Sequence, residues 1–116
     1  MDARLREGIR LFNAGLFFES HEVWESFYCD AEEQQRPFLE GLIQLAAAFR
    51  IFADFGETAG PARMIYQALI RFENYQPSYL EIRVRELTEA VESWAREAEK
   101  GGGKPFAVPK ISHDSL

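Results

Sequence analysis

Gly41-Leu42-Ile43-Gln44-Leu45-Ala46-Ala47-Ala48-Phe49 carries one polar side chain, Gln44. Extended back to Arg36 and on to Phe55, the stretch stays apolar around nearly the whole helical wheel. Glu40, Gln44, Arg50 and Asp54 interrupt it in its central and later turns. A helix this apolar belongs in the middle of a bundle, covered on most sides. The expected fold is all-α: a compact bundle of about five helices around a very apolar central helix, with residues 41–52 its most buried segment.

The neighbouring segments supply the covering helices. A first helix is expected over residues 2–13, capped by Asp2, with Leu5, Ile9, Leu11 and Phe12 on its apolar side and Asn13-Ala14-Gly15 as its stop. A second runs from about Phe17 to about Tyr28 and turns Phe17, Ser20, Val23, Trp24, Phe27 and Tyr28 inward, leaving Phe18 off that face. Asp30 or the Glu32-Glu33 pair leads into the central helix, where Pro37 fits the first turn. That helix ends near Phe55-Gly56, and Gly60-Pro61 restarts the chain. Ala62, Ile65, Leu69 and Phe72 form the stripe of a fourth helix. After the breaker Asn74-Tyr75-Gln76-Pro77-Ser78, the positions Val84, Leu87, Val91, Trp94 and Ala98 mark a long last helix with an acidic outer surface. Gly101-Gly102-Gly103 ends it. Residues 1–100 thus read as one helical domain, and residues 101–116 as a Gly/Pro-containing tail expected to lie across the bundle or reach a partner subunit. His113 in that tail reads as a flexible surface residue.

Composition narrows the function classes. The chain of 116 residues has room for one core, and ten Phe within a 47% apolar composition suffice to fill it. A net charge of -6 with scattered Lys and Arg argues against nucleic-acid binding, which needs clustered cations. Residues 43–49 are too short to span a bilayer, and the charged opening Met1-Asp2-Ala3-Arg4 is no signal peptide. Cys29 stands alone, which excludes a disulfide framework and leaves an inert thiol near a helix end. The expected location is the cytoplasm, with no membrane and no nucleic-acid partner. Nucleotide-binding glycine loops and CxxC pairs are absent, and Asp54-Phe55-Gly56 lacks every companion of the kinase tripeptide it matches.

The chemistry-bearing segment is His21-Glu22-Val23-Trp24-Glu25. His21 and Glu25 stand about 40° apart on a helical wheel, one turn above each other, and Glu22 about 100° from His21. Zinc metalloproteases use two histidines at this spacing, with the following glutamate as base. Here the second position is Glu25, which gives half a metal site, His21 and Glu25, with Glu22, Glu40 or Gln44 as further donors. An oxygen-rich set with one imidazole suits manganese, iron or magnesium better than zinc. The same residues also fit a metal-free polar cluster in which Glu25 orients His21 and Arg36, Glu40 and Gln44 complete a network between two helices. Arg50 either pairs with Asp54 or another carboxylate, or faces the pocket to bind an anion.

Phe12-Asn13-Ala14-Gly15-Leu16-Phe17-Phe18-Glu19-Ser20-His21-Glu22-Val23-Trp24-Glu25, followed by Gly41-Leu42-Ile43-Gln44-Leu45-Ala46-Ala47-Ala48, resembles the small all-helical family called domain of unknown function 309. The resemblance covers residues 12–69. It implies a helical domain with a clustered His/Glu/Gln surface and no established activity, some members being labelled metal-dependent hydrolases. Members often carry His where this chain has Arg50, and Gly-Asn where it reads Phe55-Gly56-Glu57.

Two functions follow as expectations. One is a small soluble binding or interaction domain that uses His21, Glu25, Arg36, Glu40, Gln44 and Arg50, needs no cofactor, and takes a small-molecule or protein ligand. The other is a metal-dependent hydrolase, or another acid–base enzyme, with a divalent metal on His21 and Glu25 and Glu22 as the catalytic group. A homodimer is expected, with Phe18, Phe52 and Phe106 as candidates for the partner surface.

Overall fold

Asp2 accepts a hydrogen bond from the Arg4 backbone N–H at 2.8 Å and so starts α1 (Ala3–Asn13). Gly15, with φ +80°, turns the chain into α2. The computed structural model describes residues 1–101 and 107–114. α2 (Phe17–Asp30) runs two residues past its expected end, because Arg4 Nη1 reaches back to the Ser26 carbonyl at 3.0 Å and the Asp30 carboxylate at 2.7 Å. Glu32, rather than Asp30, leads into the next helix. It forms a capping box with Gln35 around the short turn Glu33–Gln35. α3 (Arg36–Phe55) then continues to Gly56, whose φ of +70° closes it. α4 (Ala59–Phe72) and α5 (Val84–Glu99) complete an all-helical bundle of five helices.

Successive helices pack on one another in chain order. α3 also reaches the two outer helices through Phe49, whose ring meets Phe12 of α1 at 5.8 Å and Trp94 of α5 at 5.0 Å. Phe38, Leu39, Leu42, Leu45, Ala46, Ala48 and Phe49 are fully buried along its inner side. Two glycines set the closest approaches. A Cβ at Gly41 would lie 2.7 Å from the Phe72 ring, and one at Gly8 would lie 2.1 Å from the Trp24 indole nitrogen. Glycine at these positions lets α3 approach α4 and lets α1 receive Trp24.

The end of the bundle departs from expectation. Beyond the breaker segment the chain makes a two-residue hairpin. Leu80 and Glu81 have φ of +49° and +67°, and Tyr79 and Ile82 exchange backbone hydrogen bonds at 3.1 and 2.8 Å. The tail pairs with that hairpin. Arg83 N–H donates to the Ser112 carbonyl at 3.0 Å, and Asp114 N–H to the Glu81 carbonyl at 2.8 Å. His113, expected to be flexible, instead forms a β-bridge with Ile82, because the hairpin edge offers unpaired backbone groups. Asn13 brackets Ile111, donating to its carbonyl at 3.0 Å and accepting from its N–H at 2.8 Å, and Ile111 is buried. Residues 107–114 therefore lie across the end of the bundle.

Phe52, a candidate for the partner surface, packs edge-on against Trp94 at 4.9 Å and is half-buried. Phe18 is exposed as expected, and Phe106 lies outside the described residues. No helix among the described residues is long and apolar enough to cross a membrane.

Candidate functional site

The inner face of α2 is pinned. Ser20 Oγ donates to the Gly8 carbonyl at 2.8 Å, and Trp24 Nε1 to the Leu5 carbonyl at 3.3 Å. With that face fixed, His21, Glu25 and Tyr28 project from the flank that adjoins α3. The outer strip of α3, Glu40, Ile43, Gln44, Ala47 and Ile51, recurs at three and four residues and so lines one side of the helix. Between α2, α3 and α4 the surface sinks into a cleft of about 450 Å³ whose walls include Glu25, Ile43, Gln44, Ala47 and Met64. A second cleft of about 240 Å³ is lined by His21, Ala47, Arg50, Ile51 and Phe55. Ala47 belongs to both. The His21–Glu25 pair thus stands where two clefts adjoin, one side chain in each.

His21 is half-buried, with Nε2 3.5 Å from Glu25 Oε1 and Nδ1 3.7 Å from Glu22 Oε1. His21, Glu22 and Glu25 each offer a ligand atom within 4.8 Å of the others. This spacing can in principle chelate a divalent ion, although both carboxylates face solvent. Of the donors expected from α3, Glu40 is engaged elsewhere and the Gln44 oxygen is buried. Glu40 accepts from Tyr28 Oη at 2.7 Å on one oxygen and from Arg71 Nη1 at 2.5 Å on the other. Gln44 donates from Nε2 to Gln67 Oε1 at 2.6 Å, which turns its own Oε1 inward. That oxygen is sealed from solvent and has no hydrogen-bond partner among the described residues.

The two expected arginines have local partners. Arg36 lies over the Tyr28 ring at 5.7 Å. Arg50 lies over the Phe18 ring at 4.5 Å, with Nε 3.5 Å from Asp54. The expected single cluster is therefore three adjoining groups: His21 with its two glutamates, Glu40 with Tyr28 and Arg71, and Gln44 with Gln67. Arg50 joins His21 in the smaller cleft.

Sequence reading missed Arg71, Gln67 and Met64 as site residues and took Tyr28 for a core side chain. The hydrogen bond to Glu40, followed by burial, holds the Tyr28 phenol above its ordinary pKa of 10.0. Cys29 is exposed and lines the larger cleft.

A comparison with curated proteins finds no match. The family profile described as domain of unknown function (DUF309) matches residues 5–64, a span that holds most of α1, all of α2 and α3, the start of α4 and every site residue expected from the sequence. That match covers more than half of the chain, and the chain belongs to the DUF309 family.

Proposed function

We propose that this protein is a cytoplasmic, homodimeric ligand-binding domain whose site is the groove formed by the two clefts between α2, α3 and α4. One observation carries the reading: His21 and Glu25, one helical turn apart, line adjoining clefts that share Ala47. A histidine–carboxylate pair with the glutamate half-exposed and 3.5 Å away contributes no more than about 1 kcal/mol to stability. The pair is therefore a poor staple for the fold and is free to meet a ligand. Concave, largely apolar sites with a few polar groups are the usual form of small-molecule pockets.

Amide NMR of the chain against a fragment library tests this. Hits should converge on residues of the two clefts and weaken in the His21→Ala, Glu25→Gln double variant, which stays folded. Hits scattered over the surface would overturn the reading.

The homodimer is supported by Phe18 and Phe55, exposed at 46% and 74% beside the smaller cleft. Sedimentation at micromolar concentration should give twice the 13.3 kDa chain mass, and a single-chain mass would remove the dimer. The single exposed cysteine supports a reducing compartment.

The spacing of His21, Glu22 and Glu25 supports a second reading, a divalent-metal hydrolase with Glu22 as base. Titration calorimetry with manganese and zinc separates the two. One equivalent bound per chain and lost in His21→Ala would favour the metal, whereas no saturable heat would reject it.

A further inference from the structure

We infer that a second copy of this chain covers the groove, its α3 lying antiparallel to α3 about a two-fold axis beside Ala47. Phe18 and Arg50 of each copy then close the larger cleft of the other. This rests on the homodimer reading and gives that dimer its interface. The order of residues along the outer strip of α3 carries it. Gln44 and Arg50 stand three residues either side of Ala47, Ile43 and Ile51 four, and Glu40 and Asp54 seven. An axis beside Ala47 therefore makes the strip its own complement: Ile43 faces Ile51 of the second copy, and Gln44 faces Arg50. Ala47, the small residue at the centre, lets the two helices approach. Glu40 and Asp54 meet towards the rim, each already matched within its own chain by Arg71 and Arg50.

The flank of α2 follows the same symmetry. Tyr28 lies beside Glu40, His21 shares a cleft with Ala47, and Phe18 lies beneath Arg50. Phe18 and Arg50 thus stand at one end of the face and Glu25 at the other, with the His21–Ala47 level between them. The axis sets Arg50 opposite Glu25 of the second copy, a cation against a carboxylate. Both side chains are half-exposed. Arg50 meets Asp54 through Nε at 3.5 Å, and its Nη groups make no hydrogen bond among the described residues. The exposed Phe18 ring meets the hollow walled by Ile43, Ala47 and Met64, so apolar surface covers apolar surface. The outer side of α5 offers no such match, since Glu89, Glu92, Glu97 and Glu99 would bring like charges together. A small ligand in the larger cleft would then touch both copies.

Cross-linking and sedimentation of the full chain test the placement. In a Cys29→Ser background, Ala47→Cys should be joined into a covalent dimer by a bismaleimide that spans the roughly 8–10 Å between packed helices. Ile70→Cys, exposed outside both clefts, should stay single under the same conditions. Arg50→Glu and Glu25→Arg should each raise the dimer dissociation constant about tenfold, because the two-fold repeats the lost contact. The double variant exchanges the charges and should return to within about threefold of the parent. These changes sit on half-exposed side chains, so the circular dichroism of each variant should match that of the parent.

Cross-linking at Ile70 as efficient as at Ala47 would overturn the placement and leave the dimer itself standing. So would a double variant that associates no more tightly than the single ones. A chain that sediments as one copy at both micromolar and millimolar concentration would remove the dimer and the placement together, and leave the face to a small ligand or an unlike protein.

Discussion

Gly8 and Trp24 show how much of this bundle rests on a single absent side chain. The Trp24 indole fills the space that a Cβ at Gly8 would take, at 2.1 Å, and it is itself fully buried and bonded to the Leu5 carbonyl. It therefore has no direction in which to retreat. Gly8→Ala gains about 1 kcal/mol of helix propensity and loses about 3 kcal/mol or more to overpacking. The net loss of about 2 kcal/mol should lower the thermal midpoint by about 10 °C in a domain of this size. A melting curve unchanged from the parent would show that α1 shifts away from α2 freely. Gln44 presents the opposite case, a buried carbonyl oxygen that has no hydrogen-bond partner among the described residues.

Between elements, the decisive contact is the one Glu40 makes. It ties α3 to Tyr28 on α2 and to Arg71 on α4, so three helices meet at one carboxylate. The phenol donates its proton to that bond, and its pKa is raised in the folded chain. A raised folded pKa means that this contribution is complete below the ordinary phenol value of 10.0 and is lost as pH rises through the folded value. Tyr66, bonded to Glu99, and Tyr79, through burial, are raised as well. Absorbance titration at alkaline pH should therefore find Tyr28, Tyr66 and Tyr79 ionising late, and Tyr28→Phe should shrink that late phase. If the late phase is the same size in Tyr28→Phe, the Glu40 contact does not form in solution.

The five helices are closed at one end by a patch that joins both ends of the chain to the Tyr79–Ile82 hairpin. The Met1 amine stands 3.4 Å from Glu81, Arg83 Nη2 stands 2.6 Å from Asp114, and Asn13 holds Ile111 by both backbone groups. Asn13→Ala leaves those two backbone groups of Ile111 without partners. The expected cost is about 1–3 kcal/mol, with faster amide exchange at Ile111 than at the buried positions of α3. Equal protection in parent and variant would mean that the hairpin pairing alone holds the tail.

Spacing and local chemistry suffice for the helical part of this fold. Apolar residues at three and four mark five helices, Asp2 and Gly56 announce an N-terminus and a C-terminus, and the inward positions Phe17, Ser20, Trp24 and Phe27 follow from one helical wheel. His21 and Glu25 were likewise readable as neighbours, because one turn of α2 sets their separation. The partners of Glu40 were not. Arg71 lies 31 residues away, and whether it meets Glu40 depends on how α3 and α4 are rotated and how closely Gly41 lets them approach. The hairpin escaped for a related reason. Leu80 and Glu81 are not the glycine or asparagine that positive φ usually selects, and the pairing that accompanies it comes from residues 112–114 at the far end of the chain. The sequence alone determined which segments are helical and which faces are apolar, since both depend on neighbours within a few residues. Only the packed bundle decided which polar groups meet, because interhelical rotation, approach and the return of the tail are set by side chains distant in the chain.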